Sequence, residues 1–241
     1  MKQIYILLIA LLMGLSANAE EWVFCGLNLT WHLTDNGVLT ISGKGKMNDF
    51  LYSSHGGPWN HLKIRRIIIG DGVTTIGEFA FYECYALTSV TIPNSVATIR
   101  DGAFRDCRFL TSVTIPNSVT EIGDGAFASC SALTSVTIPN SVTTIGAFAF
   151  RDCTNLQKVN IGNSVKTIGI AAFENCTSIT QISSEAAVPP TCKYNVFSDV
   201  NKSKCKLIVP KNSLDAYKQA YQWKNFLLIE GSTTGITNTC L

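Results

Sequence analysis

The chain has little histidine, little net charge and no long apolar run after its first residues. Its three histidines, His32, His55 and His61, leave few ligands for metal chemistry and few bases for histidine-dependent catalysis. Nineteen basic residues against 17 acidic ones give a formal charge of +2. That balance gives no reason to expect nucleic acid or an anionic membrane as the main partner. Neither Gly-x-Ser-x-Gly nor His-Glu-x-x-His occurs, and no loop carries a phosphate-cradling Gly-Lys-Ser/Thr. Nine cysteines in 241 residues are too few and too regularly spaced for a small disulfide scaffold. What is present, 46% apolar and 15% charged residues, describes a folded, non-enzymatic body of one or two domains with no cofactor.

The first residues read as a secretory signal. Lys2 supplies a positive charge, residues 4–12 are almost wholly apolar, and Ala17-Asn18-Ala19 offers small residues where a signal peptidase reads. Cleavage is expected after Ala19. Cys25 lies too far downstream for a lipoprotein anchor, and no later stretch reaches the roughly 18 apolar residues of a spanning helix. The mature chain is therefore expected to be exported, extracellular or at a bacterial cell surface, with no membrane span.

The middle of the chain repeats. Residues 88–110 read TSVTIPNSVATIRDGAFRDCRFL and residues 111–133 read TSVTIPNSVTEIGDGAFASCSAL, identical at 16 of 23 positions. Phe81, Phe104, Phe127, Phe150 and Phe173 recur with this period, as do Cys84, Cys107, Cys130, Cys153 and Cys176. A fixed period of this length implies a solenoid of stacked coils, each covering its neighbour's apolar face. In each coil Leu110-x-x-Val113-x-Ile115 predicts a short strand with Val and Ile inward. Pro116-Asn117-Ser118 ends the strand, and 119–123 reads as a second extended piece. Residues 124–130 fit one to two helical turns, with Phe127 and Cys130 inward.

These residues resemble the BspA-type leucine-rich-repeat family of bacterial surface and secreted proteins, whose repeat runs L-x-x-V-x-I-P-x-x-V-x-x-I-G-x-x-A-F-x-x-C. The likeness spans about 64–182. Gly70 and Gly162 replace the proline, Glu78-Phe79 and Ala147-Phe148 alter the helix start, and Arg100 replaces the repeat glycine, straining a turn if that column needs positive φ. The expected fold is a β-rich leucine-rich-repeat solenoid with short strands and a short helix per coil. It would carry an N-terminal β-hairpin cap, with its turn at Asp35-Asn36-Gly37, and a C-terminal strand–helix cap, with Asn212 starting the helix and Trp223 and Phe226 covering the last coil. The organisation reads as signal peptide 1–19, N-terminal cap 20–61, repeats 62–183, C-terminal capping repeat 184–230 and mobile tail 231–241.

Stacking places the cysteine column in single file at a spacing of roughly 5 Å, unsuited to the four-ligand cluster of a metal centre; it is expected to be a buried thiol ladder. Cys192 and Cys205, in a looped region of an exported chain, are candidates for a disulfide. His55, Trp59 and His61 share a loop, without the acidic cluster or nucleophile that would make them a reactive centre. The outward strand positions Arg66, Ser89, Thr91, Ser112, Thr114, Ser135, Thr137, Lys158, Asn160 and Gln181 form a strip of mostly small polar groups. The family resemblance implies a concave binding surface there, for adhesion to an extracellular protein or glycan. The rival expectation is a structural envelope module that self-associates, since near-identical coils present near-identical faces.

Overall fold

The computed structural model describes residues 23–59 and 62–232; the expected signal peptide, His61 and most of the expected tail lie outside the described residues. The first strands are β1 (Val23–Gly26), β2 (Leu29–Leu33), β3 (Val38–Gly43) and β4 (Gly45–Lys46). Coils follow, each with a longer and a shorter strand: β5 (Arg66–Ile69) and β6 (Val73–Ile76), then β7 (Ser89–Thr91) and β8 (Thr98–Ile99). In the next coil only the short strand, β9 (Glu121–Ile122), forms. Then come β10 (Ser135–Ile138) and β11 (Thr144–Ile145), β12 (Lys158–Ile161) and β13 (Thr167–Ile168), and β14 (Gln181–Ser184) and β15 (Thr191–Cys192). β16 (Lys206–Pro210), the helix α1 (Leu214–Gln219) and β17 (Leu228–Ser232) complete the order.

The shorter strands make one seven-stranded sheet, β15-β13-β11-β9-β8-β6-β4, along the back. The longer strands make two front sheets, β1-β2-β3-β5-β7 and β10-β12-β14-β16-β17. All pairs are parallel except β1–β2 and β2–β3. The hairpin around Asp35-Asn36-Gly37 is β2–β3, with β1 paired on the far side of β2; in its turn the Thr34 amide donates to Val38 O at 3.0 Å and Gly37 takes φ 83°. Within β10 and β12, Ser and Lys, Thr and Asn face water while the β-branched Val and Ile are buried, the period-2 pattern of a half-buried strand.

The third wall of each coil corrects the expected helix. Residues 102–107 hold a left-handed residue at both Gly102 (φ 58°) and Asp106 (φ 60°), and the same alternation recurs at Gly125 and Ser129, Phe148 and Asp152, and Ala171 and Asn175. Such a residue every fourth position breaks any i→i−4 ladder. Alternate amides instead donate to the next coil: Gly102 to Asp124 O at 2.8 Å, Phe104 to Ala126 O at 2.7 Å, Asp106 to Ala128 O at 2.8 Å. The amides between them close turns within the coil, as from Arg105 to Gly102 O at 3.0 Å. The wall is a stack of turns cross-bonded between coils.

Behind this wall runs the phenylalanine column. Phe81, Phe104, Phe127, Phe150 and Phe173 stack at ring spacings of 5.2–5.3 Å, and Phe197 extends the column at 5.9 Å. A tryptophan stands at each end: Trp59 stacks on Phe81 at 5.4 Å, and Trp223 meets Phe197 at 5.0 Å. Each indole N–H donates to a backbone carbonyl, Ala80 O at 2.9 Å and Pro190 O at 2.8 Å, which is what burial of this side chain requires. α1 begins after Ser213 without a side-chain cap, so Asn212 does not start it. Gly231 and Ser232, expected in the tail, belong to β17.

The repeat glycine has a different purpose from the expected one. Gly146 does not need positive φ; a Cβ there would lie 2.5 Å from Gly123 C and 2.6 Å from the Asp124 amide nitrogen. Close approach of neighbouring coils selects glycine. Arg100 likewise has no positive φ, so the expected strain is absent. Its guanidinium pairs with Asp49 at 3.2 Å and with Glu78, tying the coil to the segment before the repeats.

Candidate functional site

The strip expected on the front face is assembled by register. Arg66 lies beside Ser89, and Ser135, Lys158, Gln181 and Lys206 form one row. Thr137, Asn160 and Ser183 form the next row. The Asn160 amide donates to Thr137 Oγ1 at 3.2 Å, and Gln181 Nε2 to Ser183 Oγ at 3.3 Å. Ser112 and Thr114 depart from the expectation, because the strip is not continuous. No strand forms at 112–115, and no backbone hydrogen bond joins those residues to β7 or β10. The last bonds before the opening are Thr111 N to Thr88 O at 3.5 Å and Thr134 N to Thr111 O at 3.4 Å.

The opening is a groove of about 460 Å³. Ser112, Thr114, Ser135, Thr137, Asn140 and Asn160 rim it with hydroxyls and amides, and Glu185 is the one charged side chain lining it. Its floor is Ile115, Ile138, Pro139 and Ile161. Val113 is only partly buried there, whereas the equivalent Val136 and Val159 are 1% exposed. The backbone N–H and C=O groups of 112–115, which line this space, lack the ladder bonds that their counterparts in β10 and β12 make, and such groups demand partners. Glu185 and Asn140 were not among the sequence candidates; nothing in their local sequence marks them, since the groove is created by a missing strand.

The cysteine column is buried, and from Cys107 onward each thiol has a partner. Cys107 Sγ donates to Phe81 O at 3.1 Å, and Cys130, Cys153 and Cys176 repeat the contact with Phe104, Phe127 and Phe150. Cys192 and Cys205 are not disulfide-bonded; both are buried free thiols. The first lies on β15 in the back sheet and the second adjoins β16 in the front sheet, so opposite walls hold them apart. Burial pushes the thiols of Cys25, Cys84 and Cys192 up to about 12 and that of Cys205 to about 11.

Two expected results follow. A water-soluble thiol reagent should leave the described cysteines unlabelled in the folded protein and label them after denaturation; rapid labelling of several in the native state would refute the ladder. Stability should also fall in alkali. An unfolded thiol ionises near 9.0 while Cys84 stays protonated to about 12. The contribution is therefore complete below pH 9 and is lost as pH rises from there toward 12. Urea midpoints measured from pH 7 to 11 check this, and a flat profile would overturn it.

In the loop before the repeats, His55 Nδ1 lies 3.0 Å from Glu83 Oε2. Burial opposes ionisation of Glu83, but bonds from the Tyr85, Tyr82 and His55 side chains outweigh it and hold the carboxyl below its usual value. Tyr52 packs against Phe79 and Tyr82, and the Arg105 guanidinium covers its ring at 5.4 Å. Trp59, a candidate in the same loop, is fully buried in the core. These contacts fasten the loop to the first two coils.

The family model described as BspA type Leucine rich repeat region matches in six copies, over residues 59–180 and 97–227. The chain belongs to that family. Among solved structures, it is similar to a leucine-rich-repeat protein of T. pallidum at 26% identity and TM-score 0.54, covering 64% of this chain and 78% of that one. It is also similar to a leucine-rich-repeat protein of Bacteroides ovatus at 24% identity and TM-score 0.56, covering 79% of this chain and 56% of that one; this second likeness shows the fold alone. No functionally curated protein matches the chain. Among the described residues no helix is long and apolar enough to cross a membrane.

Proposed function

We propose that the chain is an exported, surface-associated binding protein without catalytic activity, which adheres through the front face of its solenoid to an extracellular glycan or protein. The observation that carries this reading is the groove at 112–115, where an opened sheet presents unpaired backbone groups beside hydroxyls and amides. A hydroxyl- or amide-rich ligand would complete the hydrogen bonding that the missing strand leaves undone. The strip has few aromatic anchors, which suits weak and multivalent contact better than one tight hot spot.

The test is binding of residues 20–241 to an array of matrix proteins and glycans, beside a variant with Thr91→Lys, Thr114→Lys and Thr137→Lys combined. Saturable binding that the variant loses by at least about tenfold supports the reading. Binding that the variant retains moves the site off this face. Concentration-dependent association in light scattering, with no binding to the array, would favour the structural rival.

A further inference from the structure

The near-neutral total conceals an uneven distribution of charge. Residues 193–232 carry seven lysines and no arginine against Asp199, Asp215 and Glu230, a surplus of four positive charges. With +2 for the whole chain, the remainder carries −2. These lysines belong to the last coil and to the segment folded over its end. The inward side of that segment is settled, since Tyr217, Trp223 and Phe226 are buried. Lys218 and Lys224, on the same two short helical turns, are exposed, and Lys193, Lys204 and Lys211 are exposed around them.

Little of this charge is neutralised locally. Among the described residues, the one lysine ion pair in this region is Lys206 with Glu230 at 3.2 Å. Lys202 turns its ammonium onto the carbonyls of Phe197 and Val200, where burial lowers its pKa. The same residues, 193–232, expose apolar side chains: Tyr221 at 57%, Leu227 at 73% and Tyr194 at 70%, and the Leu227 amide donates to Lys202 O at 3.0 Å while Gln222 Nε2 donates to Lys193 O at 3.3 Å. Lysines around exposed leucine and tyrosine match a headgroup boundary, where charge meets anionic lipid and apolar groups leave water. A hydrated polyanion would satisfy the lysines and offer nothing to Leu227.

We infer that the C-terminal end face, built from α1 and the turns around Lys224, docks on a lipid surface carrying anionic headgroups. This surface lies apart from the front-face groove, so the two readings stand or fall separately.

The test is co-sedimentation of the full chain with vesicles of phosphatidylcholine alone or mixed with phosphatidylglycerol, at low and high salt, with heparin as a soluble polyanion. Binding is expected only to the mixed vesicles and is expected to weaken with salt. The pair Lys218→Glu and Lys224→Glu should weaken it at least about tenfold, and the uncharged change Leu227→Asn should weaken it at unchanged salt dependence. Lys44→Glu, between β3 and β4 at the opposite end of the stack, should leave it intact, and thermal unfolding of each variant confirms the fold. Equal binding to neutral vesicles, binding to heparin without vesicles, or no binding to either would overturn the proposal.

Discussion

Replacing Phe127 with alanine is expected to lower global stability by about 3–5 kcal/mol. The ring is fully buried, with Phe104 and Phe150 each 5.3 Å away and within 6° of parallel. Removing it leaves a ring-sized void and takes a stacking partner from both neighbours. The backbone cannot close the void, because Phe127 N donates to Ala149 O at 2.8 Å and Cys153 Sγ donates to Phe127 O at 3.3 Å, fixing the coil spacing. Chemical denaturation measures the loss. Phe109→Ala is the control: that ring is 62% exposed, and its removal should change stability by no more than about 0.5 kcal/mol. Similar losses for the two would contradict a core built on the phenylalanine column.

Trp223→Ala should cost a similar amount, about 3–5 kcal/mol, but in a different place. The indole is fully buried, packs on Phe197 and lies 5.3 Å from Tyr217, and its N–H satisfies Pro190 O. Its loss both opens the end of the column and leaves a buried carbonyl without its donor. In a solenoid each coil contacts only its neighbours, so damage at an end stays there. Hydrogen exchange is the discriminating measurement. Amides of 193–232 should lose protection first in Trp223→Ala, while those around Phe104 remain protected. Uniform loss along the chain would show that the coils unfold as one unit and refute the nearest-neighbour account.

The columns of Phe and Cys were legible because a 23-residue spacing admits few other meanings, and the alternation read at Val113 and Ile115 describes the strands of other coils, such as β10 and β12, but not residues 112–115 themselves. The turn wall was misread as a helix because Asp124-Gly125-Ala126-Phe127 satisfies a helical spacing of apolar residues. A counter-signal was available: the position before each cysteine is Glu83, Asp106, Ser129, Asp152 or Asn175, all in the left-handed region, which Asn and Asp tolerate better than other side chains. The groove was not legible at all. Thr111 to Val119 and Thr134 to Val142 share one nine-residue sequence, yet the second pairs and the first does not, so the difference arises from the neighbours. The Cys192–Cys205 pairing failed for a related reason, since chain proximity does not reveal which wall a residue joins.

The cross-bonded turn wall also makes the coil a unit of length. Each coil receives hydrogen bonds on one side and gives them on the other in the same register, as Phe104 to Ala126 and Phe127 to Ala149 do. One more copy of residues 134–156 would therefore slot between its neighbours and lengthen the body by about 4.8 Å. Trp59 and Trp223 would still stand at the two ends of the phenylalanine column. Copy number, set by duplication or loss of a whole 23-residue segment, then acts as a ruler for how far the two ends stand apart.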